Sequence, residues 1–312
     1  MPTLPEMEAL PLAFQYYCLE HGARKPASVG SATAEKTVMA PENSDKTTST
    51  PQKPGPRMKL KDLTWKNKAL FNELMERHTF VVLTDLGERV EALYTDLRAA
   101  MQAFFEQDRA CKDVCTSKYI YRNENKTPMW YAGYECTHVR ECFRAHAGDL
   151  SRMQWPSADF EEKYLALLKV CQSICDKSLS LTLGYITDSA HAHQSAGEDL
   201  SVCYGLHYPN KVGTGQSNSE NVFEHIDPSL YVIEPVTDVA GLDVFDPHSG
   251  QWLSVEQVCT PHKEWVLFCG KALTRATDGR VPGTLHRVTR PDHTRDISRY
   301  CFIYEQKYQP YF

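Results

Sequence analysis

His225-Ile226-Asp227 sets an imidazole and a carboxylate two residues apart, and His286 follows 61 positions after the first histidine. Two histidines and one carboxylate are the donor set of a facial metal site. Three protein ligands cover one face of an Fe(II), and the opposite face stays open for a co-substrate and dioxygen. The close pair suits an extended strand, where residues i and i+2 project from one face. Ile226 then points away, and His286 must return on a strand that passes the same place. His-x-Asp alone is a weak signal, so the order of the elements around it has to carry the argument.

Those elements are short and β-rich. Leu230-Tyr231-Val232-Ile233 follows the pair, then Gly241-Leu242-Asp243-Val244-Phe245, a turn through Asp246-Pro247-His248-Ser249-Gly250, and Gln251-Trp252-Leu253. Trp265-Val266-Leu267-Phe268 leads to a turn at Cys269-Gly270-Lys271. Thr284-Leu285-His286-Arg287-Val288 and the apolar run from Ile297 to Glu305 complete the series. Such runs between Gly, Pro and Asp turns predict an antiparallel sandwich.

The run from Gly241 to Trp252, His286-Arg287-Val288 and Arg299-Tyr300-Cys301 together resemble the Fe(II)/2-oxoglutarate-dependent oxygenases of the isopenicillin N synthase-like family. Tyr204-Gly205-Leu206-His207-Tyr208-Pro209 is similar to the segment that precedes the iron site there, and residues 77–112 to the family's opening strand, turn and helix. The likeness covers residues 58–312. It implies a mainly β fold with flanking helices, a distorted double-stranded β-helix (jelly roll). His225, Asp227 and His286 become the catalytic iron ligands, with 2-oxoglutarate and dioxygen as co-substrates. Decarboxylation of 2-oxoglutarate drives hydroxylation, desaturation or oxidative cyclisation of a small molecule, within specialised metabolism. A carboxylate at Asp227 points to oxidation rather than halogenation.

The same resemblance assigns the co-substrate contacts. Arg299 is expected to anchor the distal carboxylate, since a guanidinium binds a carboxylate through two parallel hydrogen bonds. Arg295 competes, but Arg299 sits inside the apolar strand as the family's arginine does. Tyr208 is expected to add a phenolic hydroxyl. Cys301 stands where the family has serine, and a thiol is the weaker donor. Leu206 stands where relatives often carry asparagine, and His207 is left facing either the pocket or the core. Position in the family nominates Tyr131, Tyr134, Arg140, Phe223 and Arg275 for the substrate. Two alternatives stay open: the same iron site working as an oxidase without 2-oxoglutarate, and a catalytically silent binding protein on this fold.

A formal charge of −6, from 40 acidic and 34 basic residues, gives no global field for nucleic acid. No apolar run is long enough to span a bilayer, and the first residues lack a basic segment followed by an apolar core. The expectation is a cytoplasmic monomer without membrane contact. Eleven cysteines with no Cys-x-x-Cys argue against a zinc ribbon. Cys111/Cys115 and Cys171/Cys175 have helical spacing and read as thiols packed in a reducing compartment.

Residues 1–57 read as an N-terminal extension, with a short helix over 10–21 and a flexible linker rich in Lys, Ser, Thr and Pro. Residues 58–200 form a helical N-terminal part and 201–312 the iron-binding jelly-roll core. Residues 60–62 are expected to open the sheet. Apolar spacing predicts helices over 66–77, 89–105 and 160–184, and a strand over 80–84. Residues 120–156 read as irregular, and His191 and His193 as a solvated loop.

Overall fold

The computed structural model describes residues 55–116, 121–122, 128–129, 132–184, 199–211 and 220–311. The expectations for residues 10–21, the linker, Tyr131, His191 and His193 lie outside that set. The described residues belong to one compact unit, Lys53–Phe312.

Alternation along the strands sorts the side chains into two layers. In β12 (Trp265–Cys269), Val266 and Phe268 turn inward. They meet Phe80 and Val82 of β2 (Phe80–Thr84), Val232 of β9 (Tyr231–Pro235), and Leu242 and Val244 of β10 (Leu242–Asp246) in one buried cluster. Trp265, Leu267 and Cys269 turn the other way, into the core beneath the helices. A strand buried on both faces reads as a continuous apolar run, which is why β2, β9 and β12 show little polar alternation.

Among the described residues the first strand is β1 (Arg57–Lys59), and the larger sheet continues through β5 (Gly133–Cys136), β6 (Glu141–His146), β7 (Val202–Tyr208) and β14 (Arg299–Glu305). Its eight strands run in the order β1-β2-β12-β9-β14-β7-β6-β5. The smaller sheet adds β8 (Glu220–His225), β11 (Gln251–Ser254) and β13 (His286–Thr289), in the order β11-β10-β13-β8. A minor hairpin joins β3 (Tyr121–Arg122) to β4 (Pro128–Met129). Besides the cluster above, Cys142, Leu206, Tyr208 and Cys301 of the large sheet pack on Val288 and Val222 of the small one. The jelly-roll expectation therefore holds.

Helices α1 (Lys68–His78), α2 (Glu88–Phe105) and α4 (Ala158–Leu183) cover the outer face of the large sheet, and α3 (Arg109–Asp113) is a single short turn after α2. In α4, Phe160, Tyr164, Leu167, Leu168, Cys171, Ile174 and Cys175 form the buried stripe that 3.6-residue periodicity requires. Ser157 caps it by accepting from the Phe160 amide at 3.1 Å, and Gly184 ends it at φ +84°. Cys171 and Cys175 are buried as expected, and burial pushes their thiols up; Cys115 is buried too, whereas Cys111 is exposed.

Three local expectations change. Residues 60–62 form a 3-10 turn, and the opening strand is β1, which runs parallel to β2. Arg57 pins it, with Nη1 on Glu264 at 2.8 Å and Nη2 on the Val258 carbonyl at 2.6 Å. The stretch expected to be irregular contains β5 and β6. Two short helices, α5 (Val255–Val258) and α6 (Lys271–Ala276), occupy positions where too few residues exist to show a period.

Removing residues 1–52 should leave a cooperative fold with little change in Tm. Removing residues 1–57 also deletes Arg57 and its charge-assisted bonds, at a cost of about 1.5–3 kcal/mol each, so its Tm should be visibly lower. Thermal unfolding of the two truncations side by side checks this.

Acid sensitivity follows from one buried and one half-buried group. Burial lowers His146 from 6.5 to about 4. Burial opposes the charge of Glu141, but bonds from His207, Lys112 and Tyr134 bring it from 4.5 down to about 2. In both cases the unfolded chain takes up the proton first, so stability falls with pH. Tm should decline between pH 6.5 and 4 through His146, and again between 4.5 and 2 through Glu141. Glu141→Gln should flatten the lower step; an unchanged lower step would remove Glu141 from the account.

Candidate active site

Pairing between β8 and β13 brings the two histidines together. His225 and His286 are direct antiparallel partners, and their rings stand 4.3 Å apart. Asp227 lies in the turn just past β8. That turn is pressed against the start of α6: the Lys271 amide donates to the Asp227 carbonyl at 2.8 Å, and a Cβ on Gly270 would come within 2.1 Å of the Ser229 carbonyl oxygen. Glycine is therefore required at position 270 for the carboxylate to reach the histidines.

The three side chains offer ligand atoms that all lie within 4.8 Å of one another. His225 Nε2 is 3.2 Å from Asp227 Oδ1, and His286 Nε2 is 3.4 Å from Oδ2. Each ring donates its other nitrogen to a carbonyl: His225 Nδ1 to Phe223 at 2.7 Å, and His286 Nδ1 to Thr284 at 3.1 Å. Those bonds fix the tautomer and leave both Nε2 lone pairs aimed at one point. Two neutral nitrogens and one carboxylate oxygen on a single point are the donors Fe(II) requires.

Arg299 lies where the sequence placed it, in β14 opposite Tyr208 of β7, and is 2% exposed. Its nitrogens, however, already have protein partners. Nε donates to the Val239 carbonyl at 3.2 Å, and Nη1 to Cys301 Sγ at 3.2 Å. Nη2 is shared by Glu234 at 2.8 Å and Glu256 at 3.0 Å, both carboxylates being buried. Glu256 is itself fastened by the amides of Gly241 and Leu242 and by the Thr237 hydroxyl. Burial pushes the Glu234 carboxyl up, against the pull of Arg299. A Cβ on Gly241 would sit 2.8 Å from Arg299 Cδ, so the arginine stem depends on the missing side chain. Sequence reasoning missed both glutamates. The signal was Glu234, a charge at an inward position of an otherwise apolar strand.

The other expected residues separate. Cys301 is buried, and its sulfur accepts from Arg299. Tyr208 is buried, and its hydroxyl accepts from Arg140 Nη1 at 3.3 Å, so Arg140 does reach the chamber between the sheets. Tyr134 does not: it packs edge-on against Phe104 beneath the helices, and its hydroxyl donates to Glu141 at 2.5 Å. His207 faces that same side, stacked on Tyr300 and bridging Glu141 and Ser298. Phe223 is 48% exposed, two residues before His225. Arg275 is exposed on α6, and Arg295 is exposed beside Asp292.

Residues 197–305 match the 2OG-Fe(II) oxygenase superfamily. None of the curated proteins matches the chain. Among solved structures, a Neurospora crassa protein in complex with α-ketoglutarate and 5-formyluracil aligns at TM-score 0.63 and 15% identity, over 81% of this chain and 84% of that one. The rice dioxygenase for auxin oxidation aligns at TM-score 0.63 and 16% identity, over 81% and 83%. Its Arabidopsis thaliana counterpart, in complex with 2-oxoglutarate, aligns at TM-score 0.60 and 15% identity, over 82% and 93%. These likenesses establish a shared double-stranded β-helix fold. The family match spans both histidines and the aspartate, so residues 197–305 carry a 2OG-Fe(II) oxygenase domain, the domain of Fe(II)/2-oxoglutarate-dependent dioxygenases.

Proposed function

We propose that the chain oxidises a carbon centre of a small organic molecule, by hydroxylation, desaturation or ring closure, with His225, Asp227 and His286 as the iron ligands. The observation that carries this reading is the convergence of their three ligand atoms, with both Nδ1 atoms already bonded to carbonyls. The isopenicillin N synthase-like branch and a role in specialised metabolism are part of the proposal. Support for a small substrate comes from the neighbouring folds, one in complex with 5-formyluracil and one named for auxin oxidation. Among the described residues no helix is long and apolar enough to cross a membrane. Free thiols, most of them buried, suit a monomer in a reducing cytoplasm.

Fe(II), when bound, supplies an open coordination face where co-substrate and dioxygen meet. The protein's part is positional. The Phe223 and Thr284 carbonyls orient the two imidazoles, and Phe268 packs on His286 with ring centroids 4.8 Å apart, which limits water at that ligand. Arg299, Tyr208 and Cys301 form one end of the co-substrate chamber in this reading, and the charge of Arg299 is shared between Glu234 and Glu256. Phe223 is the substrate-side candidate that the geometry leaves in play, and Arg140 reaches the chamber at the Tyr208 hydroxyl. Succinate formed in step with oxygen uptake tests the reaction class, and oxygen uptake without succinate would favour the oxidase reading.

His225→Ala and His286→Ala should each lower Fe(II) affinity by more than about 100-fold, beyond what loss of an outer partner alone costs, and abolish oxygen uptake. Metal analysis after dialysis checks the first effect, and normal turnover in either variant would remove the triad assignment.

Arg299→Ala strands Glu234 and Glu256 without their cation, a loss of about 3–5 kcal/mol for a broken buried ion pair. Arg299→Lys should recover part, because a single ammonium cannot reproduce the fork. Arg295→Ala should be neutral within about 0.5 kcal/mol. Denaturant unfolding of the three variants ranks them.

A further inference from the structure

We propose that Arg140, placed by the Tyr208 hydroxyl, is the cation that receives the distal carboxylate of 2-oxoglutarate. The proposal rests on 2-oxoglutarate being the co-substrate of this site. It differs from the expectation for Arg299, which remains the neighbouring cation.

Charge balance around Arg299 is the first argument. One guanidinium already faces two carboxylates at 2.8 and 3.0 Å. A co-substrate carboxylate would be the third anion on a single cation, in a chamber where weak screening magnifies like-charge repulsion. The resident anions are not easily displaced. Glu256 accepts from the Leu242 amide at 3.1 Å and the Gly241 amide at 3.2 Å, and Glu234 is part of β9. Nor can the arginine readily swing away, since its stem lies against the bare Cα of Gly241.

Arg140 has the opposite balance. Among the described residues its guanidinium has one hydrogen-bond partner, the Tyr208 hydroxyl at 3.3 Å, and no carboxylate within ion-pair distance. A half-buried cation without a counter-ion is costly, and a ligand carboxylate removes that cost through a bidentate contact. Its backbone is held in place: the Arg140 amide donates to Thr137 Oγ1 at 3.2 Å, and the Thr137 amide to the Arg140 carbonyl at 2.8 Å. Its position is also suitable. Cys142, two residues on and on the same face, shares a buried cluster with Tyr208 and Val288, and Val288 is two residues beyond His286. Arg140 therefore borders the same chamber wall that continues to the iron ligands.

The test measures binding without turnover. The full chain is loaded with Mn(II) in place of Fe(II) and titrated calorimetrically with 2-oxoglutarate and with 2-oxopentanoate, which keeps the 2-oxo acid end but has a methyl group for the distal carboxylate. Arg140→Ala should weaken 2-oxoglutarate binding by about 30-fold or more, the range for losing one partner of a buried charge pair. It should leave 2-oxopentanoate binding, Mn(II) stoichiometry and Tm unchanged, and Arg140→Lys should regain part of the loss. Unchanged 2-oxoglutarate affinity in Arg140→Ala overturns the proposal; if turnover of an acidic substrate is lost at the same time, Arg140 serves the substrate's carboxylate instead. Equal losses for both ligands also overturn it, since the effect is then on the metal end. Failure of the unaltered chain to bind 2-oxoglutarate at all would instead refute the underlying reading of the co-substrate.

Discussion

The register between β8 and β13 is the constraint on which the site depends. His225 faces His286 only because these strands pair at that step, and a slip of one residue would send one imidazole to the opposite face of the sheet. The register is irregular just beyond the pair, with shifts between His286 and Val288 and again before Thr289. Val222 and Val288 lock it on the far side by entering the cluster between the sheets. The proposed iron ligands and the inter-sheet core are thus parts of one packing solution.

A second constraint is electrostatic. Burying a cation between two carboxylates is expensive unless every donor and acceptor is used. Here Arg299 and Glu256 each have both backbone and side-chain partners, across β9, β10, β14 and α5. The cluster ties the two sheets together at the end of the chamber.

Much of the fold was legible because its signals are periodic or local. The apolar run Phe80–Thr84 is the observed strand to the residue, and the long α4 stripe announces itself over seven turns. The strands β5 and β6 were not legible, since their polar residues, Glu141 among them, are matched by distant partners such as Lys112 and His207. In the site, His225, Asp227 and His286 were visible through spacing and order. Which face Tyr134 and His207 occupy was not, because it depends on the register of β6 with β5 and β7. Glu256 was invisible for a similar reason: it reaches Arg299 from a four-residue helix with no pattern of its own.

Thr284 joins features that otherwise look unrelated. Its hydroxyl donates to the Thr79 carbonyl at 2.7 Å and accepts from the Cys269 amide at 3.0 Å, while its own carbonyl orients His286. Thr79 is the left-handed residue that ends α1, at φ +67°. The outer helical layer and the proposed ligand His286 therefore meet in one fully buried residue. Strain introduced at the end of α1, on the side of the sheet away from the chamber, has a direct mechanical route to the orientation of the His286 imidazole. The end of α1 accordingly helps set the aim of the His286 ring as well as covering the sheet.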